Sequence, residues 1–154
     1  MVAALVLLVG VCGRREQQAS EQREQLQATI RSAAPLIQAI RKYEELRGAP
    51  PPSLDALVPE FLDALPQPAG PAEGGWEYWA DVPGGRKEGG KWHRVQLEPS
   101  AGGWALGIAV RKEFRPRFLY NLGDYFLYHP SGHYPRTAYG GVLERVGEWG
   151  YYFE

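Results

Sequence analysis

A single cysteine, Cys12, leaves no partner for an intrachain disulfide and no thiolate cluster for a metal. An excess of charge is missing too: 17 Lys and Arg against 18 Asp and Glu leave a net −1. Phosphate neutralisation needs a basic face, so this balance argues against a dedicated nucleic-acid binder. No apolar run reaches the roughly 20 residues that a membrane-spanning helix needs. Residues 2–12 are almost wholly apolar, but Arg14 and Arg15 follow directly after Gly13. No internal repeat and no low-complexity tract is visible.

Punctuation is abundant instead. The 19 glycines and 13 prolines divide the chain into short segments, which favours strands and turns over a helical bundle. At 154 residues the chain fits one domain with enough length for a real core. Its 44% hydrophobic and 23% charged residues are those of an ordinary soluble domain.

Residues 1–13 read as a signal or anchor segment, because an apolar run of this length suits the core of a secretory signal peptide. The basic residues that usually precede such a core are absent, which points to a start upstream of Met1. A cysteine ending the run, followed by Gly13 and a polar stretch, resembles a bacterial lipoprotein attachment site, with Val11 where a small residue normally stands. Lipid attachment at Cys12 is therefore one expectation; an ordinary export signal or a truncated membrane anchor, with Cys12 as a small apolar residue, is the other. Residues 14–25 hold no large apolar side chain and form either a solvated helical extension or a tether.

From residue 26 to 154 the pattern is that of a single α+β domain. Leu26, Ile30, Ala33, Ile37, Ile40, Tyr43 and Leu46 recur at spacings of three and four, which predicts one buried face of a helix. Pro35 predicts a kink or a fresh helix start, and Gly48 before three prolines predicts a left-handed C-terminal cap. Ser53 is placed to cap a short helix over 54–62, interrupted by Pro59. After Pro71 the pattern turns to alternation. Strands are expected at 76–80, 92–97, 104–110, 125–128 and 149–153, with loops at 83–90 and 129–141.

The succession Ala39-Ile40-Arg41-Lys42-Tyr43, Gly48, Pro52-Ser53-Leu54, Leu57-Val58-Pro59, Leu65-Pro66 and Trp76-Glu77-Tyr78 resembles the helix-to-sheet junction of type II secretion pseudopilins and related type IV pilin-like proteins. The resemblance implies a long N-terminal α-helix packed on an antiparallel sheet of four or five strands. It also implies a place in the bacterial cell envelope, exported, with protein partners there and membrane contact through the N-terminus. Pilin-like proteins carry a glutamate near the start of an apolar helix that orders filament assembly; residues 2–12 contain none. The fold is carried over and the filament role is not. Some members hold calcium with clustered carboxylates in a late loop; only Asp124 stands there, so no metal or other cofactor is expected.

Candidate chemistry is sparse. His129 and His133 have a spacing that could hold a metal on a helix, but Pro130 and Gly132 make the segment a turn, and Asp124 is the sole further ligand nearby. Ser131 beside His133 has the composition of a nucleophile and base without the strand-turn-helix setting. A hydrolase would lose activity on His133→Ala, and no activity is expected. Arg111, Lys112, Arg115 and Arg117, interleaved with Phe114 and Phe118, could meet an anionic surface or form a charged turn between strands. With Trp149 and Tyr151 they make the expected interaction surface. The five Trp and nine Tyr could instead stack on glycans or fill a small core. The expectation is a non-catalytic, membrane-tethered envelope protein with a structural or secretion-assembly role; the alternative is an aromatic-rich glycan-binding module.

Overall fold

The computed structural model describes residues 2–70, 72–81, 103–110, 124–134 and 142–153. The expected strand at 92–97, the loop at 83–90 and the basic cluster at 111–117 lie outside these residues.

Helix α1 spans Val2–Arg47 and includes Pro35 without a break in the helical assignment. Pro35 and Arg31 are both on the exposed side, where the carbonyl that proline leaves without a donor can face solvent. Residues 14–25 belong to the helix, and Gln17, Glu21, Glu24 and Gln25 are exposed. From Leu26 the helix acquires a buried face of Leu26, Thr29, Ala33, Leu36, Ile37, Ala39 and Ile40. Leu46, expected to continue the stripe, is 63% exposed, because the buried face ends one turn earlier at Tyr43. Gly48 adopts φ +75° and donates its N–H to the Glu44 carbonyl at 2.8 Å, the left-handed cap that glycine allows.

A 3₁₀ turn at Leu54–Leu57 follows, without a side-chain bond from Ser53, and a second turn closes as Phe61 N–H donates to the Leu57 carbonyl at 2.9 Å. Leu57 is fully buried, and Tyr43 meets Phe61 with ring centroids 5.3 Å apart.

Five strands form one antiparallel sheet: β1 Ala72–Trp79, β2 Ala105–Val110, β3 Asp124–Tyr128, β4 Val142–Val146 and β5 Trp149–Phe153. Their order is β1-β2-β3-β5-β4. The fold is therefore α+β, one long helix with an antiparallel sheet. Strand β4 was not expected, because Val142-Leu143-Glu144-Arg145-Val146 does not alternate. It pairs through a two-residue turn in which Gly147 alone takes positive φ, the pattern of a type II′ hairpin.

The inner face of the sheet presents Trp76, Tyr78, Leu106, Ile108, Val110, Phe126, Tyr128, Trp149 and Tyr151 to the buried face of α1 and to Leu57, in one continuous core. Strand alternation sends Ala105, Leu127 and Tyr152 to the outer face, where Trp79, Tyr125 and Tyr134 pack against them.

Candidate functional site

The densest constellation is the row of aromatic rings on the inner face. Period-two alternation places Tyr78, Trp104, Tyr128, Trp149 and Trp76 in succession, with neighbouring centroids 6.4, 5.5, 5.4 and 6.4 Å apart. Phe126 meets Trp149 edge-on at 6.3 Å and stacks on Tyr151 at 4.7 Å. Offset and tilted contacts of this kind add to the gain from burial.

Buried indole and phenol groups need partners for their polar tips, and for Trp104, Tyr128, Tyr78 and Trp76 the partner comes from α1 or the segment after it. Trp104 Nε1 donates to Glu44 Oε2 at 3.0 Å. Arg41 donates to the Tyr128 hydroxyl, with its guanidinium 5.9 Å from the ring centroid. The Tyr78 hydroxyl donates to the Pro51 carbonyl at 2.9 Å, and Trp76 Nε1 to the Pro66 carbonyl at 2.8 Å. Burial raises the pKa of Tyr78, assisted by the negative charge of Glu44 and by Tyr43. Burial also raises that of Tyr128 against the pull of Arg41. Both phenols stay protonated at neutral pH and act as donors or acceptors rather than as acids.

The connection between helix and sheet is held by two hydroxyls of α1. Thr29, itself buried, donates to the Ala69 carbonyl at 2.6 Å, and Ser32 Oγ accepts the Ala69 N–H at 3.0 Å. Both backbone groups of Ala69 are thereby satisfied by the helix. Gly70 follows with φ +73°, and a Cβ there would lie 2.9 Å from Thr29 Oγ1, so the close approach requires glycine.

On the outer face Tyr125 lies across Gly107, where an added Cβ would come within 2.6 Å of Cζ. Its hydroxyl donates to Glu77 Oε2 at 3.3 Å, so this one side chain spans from β3 to β1. Beyond β3 the chain turns at His129. Ser131 Oγ is 2.6 Å from His129 Nδ1, and the Ser131 N–H donates to the same nitrogen at 3.1 Å. The His133 N–H donates to Ser131 Oγ at 3.1 Å. Tyr134 accepts the His129 N–H at 3.0 Å and donates to the Glu148 carbonyl. Arg145 donates to the Gly132 carbonyl and lies 4.6 Å over the Tyr134 ring. Burial pushes the Tyr134 phenol up to about 12 and raises Tyr152 as well.

Of the expected interaction residues, Trp149 and Tyr151 are among the described residues. Trp149 and Tyr151 are 3% and 4% exposed and belong to the core, because β5 turns them toward α1. They are packing residues rather than surface rings. Arg111, Lys112, Arg115 and Arg117 lie outside the described residues, and Cys12 lies in α1 with its side chain outside them. The Ser131 hydroxyl meets the His129 ring and only the backbone N–H of His133, whose residue is exposed. Among the described residues no three of His, Cys, Asp and Glu gather as metal ligands, and no helix is long and apolar enough to cross a membrane.

Sequence reasoning missed Arg41, Glu44, Thr29, Ser32 and Tyr134. The helix pattern placed Arg41 and Glu44 off the apolar face, and their partners lie 87 and 60 positions away. Only the polar tips of buried rings signalled that such partners must exist. No family model, curated protein or solved structure matches this chain.

Proposed function

We propose that the chain is a non-catalytic, membrane-tethered envelope protein of pseudopilin-like build, serving a structural or secretion-assembly role. The observation that supports this reading is the continuity of α1. The same helix that packs under the sheet from Leu26 onward continues back to Val2, through exposed Gln17, Glu21 and Glu24. At about 1.5 Å per residue, the stretch before Leu26 is roughly 36 Å long, and its polar part, residues 14–25, forms a spacer of roughly 18 Å. Apolar residues 2–12 stand at its far end, so an apolar tip, a polar spacer and a globular head follow one another on one rigid element. Either acylation at Cys12 or the apolar tip itself would provide the tether.

The test is fractionation of the full chain expressed in a bacterial host, beside Cys12→Ser and a form lacking residues 2–13. The full chain should sediment with membranes and the truncated form should not. Loss of membrane attachment in Cys12→Ser would identify the lipid as the tether. A full chain found entirely in the soluble fraction would overturn the reading. A tryptophan fluorescence shift on adding oligosaccharides would favour glycan binding instead.

A further inference from the structure

We propose that the His129–Tyr134 turn is an acid-sensitive clasp, closed while the His129 imidazole is neutral and opened when Nδ1 takes a proton. A backbone N–H has only a proton to offer, so the Ser131 N–H at 3.1 Å requires a lone pair on His129 Nδ1. The Ser131 hydroxyl, 2.6 Å from the same atom, must then donate to it while accepting the His133 N–H at 3.1 Å. The two donors share the single lone pair of Nδ1, the arrangement of a neutral ring with its proton on Nε2. His129 is also only 2% exposed.

Protonation strikes this arrangement at one atom. A proton on Nδ1 would face the Ser131 N–H donor to donor, and the Ser131 hydroxyl would have to reverse from donor to acceptor. The same turn adds side-chain ties between β3 and the β4–β5 hairpin, beside the backbone ladder of β3 with β5. His129 N–H reaches the Tyr134 hydroxyl, which in turn reaches the Glu148 carbonyl, and Arg145 holds the Gly132 carbonyl. Tyr134 also packs on the outer-face cluster of Ala105, Leu127 and Tyr152. Opening the clasp would free Tyr134 from that cluster and uncover part of the outer face.

The titratable and charged groups around the turn, among the described residues, set opposing influences. Arg145 on β4 opposes a second cation, whereas Glu148 in the hairpin turn favours one. Tyr128 on β3, Tyr134 in the turn and Tyr152 on β5 remain neutral phenols through the acid range. His133 is exposed and has no side-chain bond to Nδ1 in this network. Histidine is the side chain that ordinarily changes charge between about pH 5 and about pH 8, so an acid titration is the perturbation that addresses this atom.

The experiment is nitrogen-15 NMR on the full chain, reading the His129 ring nitrogens and the exchange protection of the turn amides. At about pH 7.5 the expected result is an unprotonated Nδ1. On lowering to about pH 5, protection at Ser131, Gly132 and His133 should fall by roughly tenfold, the scale of one lost hydrogen bond. In His129→Asn the amide oxygen keeps an acceptor in place and cannot take the proton, so the fall should vanish. His133→Ala should leave the fall unchanged. A neutral ring protonated on Nδ1, an undiminished fall in His129→Asn, or no fall in the unmodified chain would each overturn the proposal. If His129→Asn does not fold, the ring measurement on the unmodified chain decides alone.

Discussion

The inner face of the sheet carries Trp76, Tyr78, Trp104, Tyr128 and Trp149, and the outer face carries Trp79, Tyr125, Tyr134 and Tyr152. Both faces are aromatic, yet their polar tips go to different places. On the inner face the tips of Trp104, Tyr128, Tyr78 and Trp76 leave the sheet for α1 and the segment after it, at Glu44, Arg41, Pro51 and Pro66. On the outer face the Tyr125 tip reaches Glu77 and the Tyr134 tip reaches the Glu148 carbonyl, both within the sheet and its turns. One face joins two layers, and the other ties strands together. An aromatic-rich sequence is thus no sign of a ligand platform by itself; the partner of each polar tip decides what a ring does.

The comparison breaks most severely at Trp104, which is 1% exposed and touches both Tyr78 and Tyr128. Trp104→Ala should cost about 3–5 kcal/mol in urea unfolding, through the lost ring and the cavity left behind. On the outer face the informative change is an addition. Gly107→Val would drive side-chain atoms into the Tyr125 ring, costing about 1–3 kcal/mol. Combining it with Tyr125→Ala should recover part of that loss, so a double-mutant cycle that came out additive would deny the contact.

Smaller still is the effect on the joint between the layers. Thr29→Val keeps the shape and removes the hydroxyl, leaving the Ala69 carbonyl without its 2.6 Å donor. The expected loss is about 1–2 kcal/mol in the same unfolding experiment. At neutral pH the tyrosines cost nothing, but both faces respond to alkali. Tyr78, Tyr128, Tyr134 and Tyr152 all have raised pKa values, chiefly through burial. The unfolded chain releases these protons from about pH 10, before the folded chain does, so stability is full below that pH and falls as pH rises toward about 12. Unfolding midpoints that stay flat from about pH 9 to about pH 11 would contradict the burial of these phenols.

Helix and strand periodicity made much of this fold legible. The three-and-four spacing from Leu26 to Ile40 marked the buried face of α1, Gly48 its end, and the alternation in Trp104 to Val110 the central strand β2. Where the reading slipped, a local signal was missing. Val142–Val146 has mixed polarity because one of its sides is a sheet edge, and only Gly147 announced the hairpin. The surface role given to Trp149 and Tyr151 failed because alternation says which residues share a face, not which face is covered. Glu44 and Arg41 looked like solvated charges because nothing local to a helix reveals a ring arriving from a distant strand.

The most direct test of the central claim is hydroxyl-radical footprinting of the folded full chain, read by mass spectrometry at each Trp and Tyr. The inner-face role as a joint between layers predicts that Trp104, Tyr128, Trp149 and Tyr151 stay protected, while half-buried Tyr134 on the outer side is modified more readily. Oxidation of Trp104 or Trp149 at the rate of the unfolded chain would contradict it, and would mean that those rings are open to a partner rather than sealed beneath α1.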